Sequence, residues 1–220
     1  MKIGIIGAGN IGGTLAKRLG GLDHQISIAN SRGPETLTEL AVGGEITPVS
    51  VMEAARDVEL VVVTIPLKNV PNLPGDLFAG VPESVVVVDT CNYYPRQRDG
   101  CIDAIEAGMP ESRWVEQQVG RPVIKAFNNI QAEHLLSLGL PAGAEGRIAL
   151  PVAGDNAKAK ATVMELVEEL GFDAVDAGGL DESWRQQPGT PVYGTDLNAA
   201  GVRRSLREAV KERMPNWRAA

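Results

Sequence analysis

The stretch that decides the fold is Lys2-Ile3-Gly4-Ile5-Ile6-Gly7-Ala8-Gly9-Asn10-Ile11-Gly12. A short apolar run with strand character leads into a glycine-rich turn, and a segment with helix character follows. The turn matches the pattern G-x-G-x-x-G, which in a strand–turn–helix context is typical of dinucleotide-binding loops. Gly7 permits the tight turn, Gly9 lets a pyrophosphate approach the backbone, and Gly12 lets the helix pack closely on the strand. The first N–H groups of the helix then bind the phosphates.

Beyond this turn, runs rich in valine and isoleucine alternate with segments of helical character. The runs are mostly continuous rather than alternating polar and apolar, which is typical of strands buried on both faces of a parallel sheet. Their order predicts an α/β fold: a Rossmann-like, doubly wound, mostly parallel sheet with a short C-terminal extension. Asp155 is the predicted N-cap of the clearest helix. The predicted strands cover residues 3–6, 25–29, 60–65, 85–88, 122–127, 147–153 and 173–176, and the predicted helices cover 11–19, 35–41, 51–55, 131–138 and 156–170.

The pattern changes near residue 178 and divides the chain in two. Residues 1–180 hold the predicted sheet, whereas residues 181–220 hold a loop rich in proline and glycine and one amphipathic helix. That helix is predicted from the four-residue spacing of its apolar side chains, Val202, Leu206, Val210 and Met214. Roughly 40 residues are too few for an independent domain, which usually needs about 100. Dehydrogenases that take their catalytic side chains from a large second domain are therefore disfavoured.

Composition and charge exclude several classes of protein. The chain has 220 residues, an apolar fraction of 44% and a formal net charge of −7, which are typical of a folded globular domain. The acidic balance argues against a general nucleic-acid binder. No apolar run reaches the roughly 18 residues that span a membrane, and no signal peptide is expected before the first strand. Because Cys91 and Cys101 have neither a metal nor a redox spacing, we expect a cytoplasmic protein without a metal centre.

The residues after the second predicted strand indicate the cofactor. NAD enzymes place an acidic side chain there, which binds the ribose 2′-hydroxyl. This chain instead has Ala29-Asn30-Ser31-Arg32. Arg32 would pair with a 2′-phosphate, and Ser31 and Asn30 would add hydrogen bonds. The sequence therefore predicts NADP(H) rather than NAD(H).

The ends of the later strands supply further candidates. Ligands of such sheets bind outside the carboxyl ends of the strands. Polar residues and a proline follow three of these ends, so they are expected beside the nicotinamide or its ribose. The complete predicted cofactor-binding set is Gly7, Gly9, Asn10, Ile11, Gly12, Asn30, Ser31, Arg32, Thr64, Ile65, Pro66, Asn92 and Asn128.

The sequence contains no clear acid–base constellation. Tyr93, Tyr94 and His134 are weak candidates for the proton donor that a carbonyl or imine reductase would need. Lys125 could also donate a proton, but it lies within a predicted strand, where its stem is expected to pack. Hydride transfer to a flavin-like ring depends mainly on positioning. Three functions stay open: hydride transfer to a ring acceptor, reduction of a small carbonyl or imine, and non-enzymatic sensing of NADP(H).

Taken together, several segments resemble the NADPH-dependent reductase family typified by coenzyme F-420-dependent NADP oxidoreductase, which includes the soluble domain of the STEAP metalloreductases. The matching segments lie within residues 1–180, at 2–13, 29–33, 61–66, 123–128, 152–155 and 170–178. The resemblance implies that Ser31 and Arg32 hold the 2′-phosphate. It also implies that a flavin or a deazaflavin such as coenzyme F-420 stacks over the nicotinamide, although residues 183–191 do not align with the F-420 enzymes. We expect a small-molecule electron acceptor, no nucleic-acid or membrane partner, and a homodimer.

Overall fold

A parallel sheet of six strands forms the centre of the protein, in the order β3-β2-β1-β4-β5-β6. The computed structural model describes residues 1–41 and 44–219. All neighbouring strands of this sheet are parallel, which confirms the predicted Rossmann-like fold. The strands are β1 (Lys2–Ile6), β2 (Gln25–Ala29), β3 (Ile46–Pro48), β4 (Leu60–Val63), β5 (Val86–Asp89) and β6 (Val123–Lys125).

Helices cover both faces of the sheet. Apolar side chains of α1 and α5 pack on one face, and those of α3 pack on the other. Two predicted helices are 3₁₀ segments instead, at Pro34–Leu40 and Glu53–Ala55. The α-helices are α1 (Asn10–Gly20), α2 (Asp103–Glu106), α3 (Glu111–Val119), α4 (Ala132–Ser137), α5 (Ala157–Glu169) and α6 (Ala199–Glu208).

Two more strands, β7 (Ala149–Val152) and β8 (Asp173–Asp176), form a parallel pair of their own. This pair joins the main sheet at an antiparallel bridge between Lys125 and Ala153. The Lys125 N–H donates to the Ala153 carbonyl at 2.8 Å, and the Ala153 N–H donates back at 3.0 Å. The edge strand β6 therefore holds the two sheets together.

The prediction of Asp155 as the N-cap of α5 is wrong by one residue. The N-cap is Asn156, whose side chain accepts a hydrogen bond from the Ala159 N–H at 3.0 Å. The Asp155 carboxylate instead accepts from the Leu180 N–H at 2.8 Å and pairs with Arg113. These bonds, first the one from Leu180, hold the pKa of Asp155 below its usual range. Asp155 thus fastens the C-terminal segment rather than the helix start.

The last helix is shorter than its apolar spacing predicts. Val202 and Leu206 of α6 pack on β7 and β8. The helix ends at Glu208, so Val210 and Met214 lie outside it and are 73% and 53% exposed. Pro215 favours an extended conformation for Met214, which is incompatible with a continuing helix. Past residue 180 the chain continues as a 3₁₀ segment, Leu180–Gln186. Among the described residues, no helix has both the length and the apolar character needed to cross a membrane.

Candidate functional site

The glycine-rich turn connects β1 to α1, and two of its glycines are required by packing. Gly7 has a φ of 115°, a conformation that L side chains rarely adopt. A Cβ at Gly7 would overlap the Thr64 carbonyl oxygen, and a Cβ at Gly12 would overlap the Gly7 carbonyl oxygen. The turn can therefore lie against β4 and α1 only because positions 7 and 12 carry no side chain.

Gly9 is different, because the described protein does not itself require glycine there. Its φ of −74° is ordinary, and a Cβ would meet no described atom within 4 Å. Gly9 lies at the start of α1, where no described side chain caps the helix and no acidic residue lies in the first turn. The first N–H groups of a helix have no acceptor within the helix, and the helix dipole is positive there. Open space beside such donors fits a phosphate group.

A cavity of about 660 Å³ lies beside this turn. It is formed at the carboxyl ends of β1, β2 and β4, which are neighbours in the sheet. Eight of the predicted residues line it: Gly7, Gly9, Asn30, Ser31, Arg32, Thr64, Ile65 and Pro66. The structure adds Ile6 and Ala8 from the glycine-rich stretch itself. It also adds five residues that belong to no sequence motif, namely Val51, Asn69, Asn72, Leu73 and Pro74. Asn69 and Asn72 reach the cavity because a 3₁₀ segment, Leu67–Asn72, follows Pro66 directly.

The loop after β2 is held by its own polar groups. The Asn30 side-chain oxygen accepts from the Arg32 N–H at 2.8 Å, and the Asn30 amide nitrogen donates to the Thr36 hydroxyl at 2.8 Å. Ser31 and Arg32 are exposed beside the cavity. In the described part of the chain, Arg32 takes part in no ion pair. Its guanidinium is therefore available to an anion that enters the cavity.

Asn92 and Asn128, predicted to contact the cofactor, lie together but do not line this cavity. The Asn92 amide donates to the Asn128 carbonyl at 2.8 Å, and the Asn128 amide donates to Asn92 Oδ1 at 3.0 Å. The Asn128 amide also donates to the Gln186 carbonyl at 2.7 Å, and the Gln186 amide donates to Asn128 Oδ1 at 2.9 Å. The two amides thus join the ends of β5 and β6 to the segment Leu180–Gln186. Asn10, Ile11 and Gly12 also lie outside the lining, at the start of α1.

Lys125, for which the sequence left open packing of the stem or proton donation, forms a fully buried ion pair with Asp89. Its ammonium donates to Asp89 Oδ2 at 3.0 Å and to the Cys91 carbonyl. Asp89 also accepts from the Ser112 hydroxyl and from the Cys91 N–H, each at 2.8 Å. Both polar groups of the Cys91 backbone are thereby fixed, so the pair sets the path of the chain from β5 towards Asn92.

The three weak candidates for a proton donor do not line the cavity. Tyr93 is buried, and its hydroxyl donates to the Gly100 carbonyl at 2.8 Å and accepts from the Ile102 N–H at 3.0 Å. Burial raises the pKa of Tyr93 to about 12. The Tyr94 hydroxyl is hydrogen-bonded to the Tyr193 hydroxyl, and His134 Nδ1 lies 2.9 Å from Asp196. The structure therefore does not bring these side chains to the glycine turn.

Comparisons with known proteins agree with this fold. The family model described as NADP oxidoreductase, coenzyme F420-dependent, matches residues 2–93. The hypothetical protein SMa0349 of Sinorhizobium meliloti is 30% identical over 90% of this chain and 95% of that one, with a TM-score of 0.74. A provisional F420-dependent NADP reductase from Arthrobacter sp. FB24 is 24% identical over 82% of this chain and 86% of that one, with a TM-score of 0.67.

A curated relative matches a shorter segment. The Escherichia coli protein YjhV is 49% identical over 72 residues, which cover 33% of this chain and 53% of YjhV. The match thus spans about half the length of that relative. The description of the matched family model supports an NAD(P)-dependent oxidoreductase. Residues 2–93, which build the glycine turn, match the coenzyme F420-dependent NADP oxidoreductase family, and a 30% identical structure shares nearly the whole fold of this chain.

Proposed function

We propose that this protein is an NADP(H)-dependent oxidoreductase that transfers hydride between NADPH and a flavin, a deazaflavin such as coenzyme F420, or a similar ring. The observation that carries the proposal is the cavity at the carboxyl ends of β1, β2 and β4. It combines the space beside an uncapped helix start with a guanidinium that has no ion-pair partner among the described residues.

The residues of the cavity fit the parts of NADP(H). The N–H groups at the start of α1 would hold the pyrophosphate, and Gly9 leaves room for it. Ser31 and Arg32 would hold the 2′-phosphate, because a planar guanidinium pairs well with phosphate oxygens. Ile65 and Pro66 would cover the other end of the cofactor and exclude water there. NADP(H), when bound, supplies or takes up the hydride.

The ionisable groups of the cavity favour a ring acceptor over a carbonyl or imine. Arg32 is the only ionisable side chain among the described residues that line it. A carbonyl or imine reductase needs a positioned proton donor, and no His, Tyr, Lys, Asp or Glu lies among the described residues that line the cavity. Hydride transfer to a flavin-like ring depends on the orientation of two cofactors, and the ring can take its proton from water.

The proposal is tested by following NADPH oxidation with coenzyme F420, FMN, FAD and ferric chelates as separate acceptors. Turnover with at least one ring acceptor is expected. NADPH binding without turnover in any of these assays would instead indicate a sensor. Turnover with carbonyl or imine substrates alone would indicate the reductase alternative.

A further inference from the structure

We propose that Thr36 is a positioning residue for the choice between NADP(H) and NAD(H). It acts through Asn30 on the loop that carries Ser31 and Arg32, and it does not line the cavity itself. This inference rests on the proposed NADP(H)-dependent function.

The Thr36 hydroxyl has its hydrogen-bonding groups committed within the loop. It donates to the Gly33 carbonyl at 2.8 Å and accepts from the Asn30 amide nitrogen at 2.8 Å. A threonine hydroxyl has a single hydrogen, so its oxygen presents only lone pairs to residue 30. An amide at position 30 can donate to that oxygen, whereas a carboxylate cannot. The present arrangement therefore requires asparagine rather than the acidic residue that NAD enzymes place at the end of this strand.

The other end of the same amide fixes the backbone of Arg32. Asn30 Oδ1 accepts from the Arg32 N–H at 2.8 Å, which closes an Asx turn around Ser31. Gly33 follows with a φ of 100°, so the chain reverses at once into the 3₁₀ segment that contains Thr36. One amide thus connects Thr36 to the two residues expected at the 2′-phosphate. Without the Thr36 hydroxyl, the amide can rotate and the turn loses one of its supports.

The expected consequence is selective. A ligand with a 2′-phosphate depends on the shape of this loop, whereas the pyrophosphate depends on the start of α1. Loss of the Thr36 hydroxyl should therefore weaken ligands that carry the 2′-phosphate and leave other adenosine ligands almost unchanged. Thr36 is exposed, so its removal creates no buried cavity in the core.

The test compares the binding of 2′,5′-ADP and 5′-ADP to the full chain by isothermal titration calorimetry. Thr36→Val should weaken 2′,5′-ADP by roughly fivefold to tenfold, the effect of one neutral hydrogen bond, and 5′-ADP by less than about twofold. Thr36→Ser keeps the hydroxyl and should bind both ligands as the wild type does. Thr38→Val is the matched control, because Thr38 is exposed in the same segment and its hydroxyl makes no hydrogen bond in the described structure.

Two results would overturn the inference while leaving the proposed function intact. One is that the Thr36→Val variant binds 2′,5′-ADP as tightly as the wild type does. The other is an equal loss for both ligands, which would show a general loosening of the loop. A wild-type protein that binds 2′,5′-ADP no better than 5′-ADP would instead refute the NADP(H) assignment itself, and the inference with it. Thermal unfolding of each variant confirms that it is folded.

Discussion

Replacing Arg32 by alanine removes the one ionisable side chain among the described residues that line the cavity. None of the ion pairs in the described part of the chain involves Arg32, so the substitution leaves all of those pairs in place. The free energy of unfolding should therefore change by less than about 0.5 kcal/mol, as is usual for such surface sites. Any large change in cofactor affinity then reports on binding rather than on folding.

The expected loss of affinity follows from the contact that Arg32 would make. A hydrogen bond between a guanidinium and a phosphate contributes about 1.5–3 kcal/mol. Its loss should raise the Kd for NADPH roughly 13- to 160-fold. Arg32 is exposed, so solvent and salt screening favour the lower part of that range. NADH lacks the 2′-phosphate, and its Kd should change by less than about twofold.

The assay is a titration of wild type and Arg32→Ala with NADPH and NADH, followed by the fluorescence of the reduced nicotinamide. Arg32→Lys is the matched control, because lysine keeps the charge but cannot form a bidentate pair, so an intermediate Kd is expected. Raising the salt concentration should reduce the difference between wild type and alanine variant. Equal effects on both cofactors, or no effect on either, would refute the assignment of Arg32 to the 2′-phosphate.

Three further predictions concern other parts of the structure. Asn30→Asp should change the preference between the two cofactors in favour of NADH by about tenfold or more, measured as the ratio of their Kd values, because a carboxylate repels the 2′-phosphate. An unchanged ratio in the same titration would contradict this prediction. Gly9→Ala should weaken NADPH binding while changing the free energy of unfolding by less than about 1 kcal/mol. Gly12→Ala should instead destabilise the fold, because its Cβ would overlap the Gly7 carbonyl oxygen. Urea denaturation distinguishes the two variants, and a strongly destabilised Gly9→Ala variant would contradict the open space beside α1. Lys125→Met leaves the buried Asp89 carboxylate without its ion-pair partner and should lower the free energy of unfolding by about 3–5 kcal/mol. Lys160→Met, whose partner Asp176 is more exposed, should lower it by about 1 kcal/mol or less. Similar losses for both variants would show that the buried pair stabilises the fold no more than the exposed one.

The features that could be predicted from the sequence are local or repeated. The glycine turn combines a tight motif with a preceding apolar run, and the strands of a buried parallel sheet are continuous apolar runs. The loop with Ser31 and Arg32 follows its strand directly, so its place at the edge of the sheet was also predictable. β3 has three residues, and α2 has four, so neither is long enough for a period to show.

Other parts of the site depend on contacts between residues far apart in the chain. Asp89 and Lys125 are 36 residues apart and become paired only because β5 and β6 are neighbours. The amide contacts of Asn128 depend on Gln186, which lies 58 residues further on. No spacing rule reveals such partners, so the sequence predicts neither the ion pair of Lys125 nor the contacts between the two asparagines. Nor does a motif indicate Asn69 and Asn72, which reach the cavity through a short 3₁₀ segment.

The most direct test of the NADP(H) assignment is a crystal structure of the protein with NADP⁺, from which the distance between the Arg32 guanidinium and the 2′-phosphate can be measured. We predict hydrogen-bond contact between these groups, with the pyrophosphate against the first N–H groups of α1. A 2′-phosphate that points into solvent away from Ser31 and Arg32, or a cofactor bound outside the cavity at the ends of β1, β2 and β4, would contradict it.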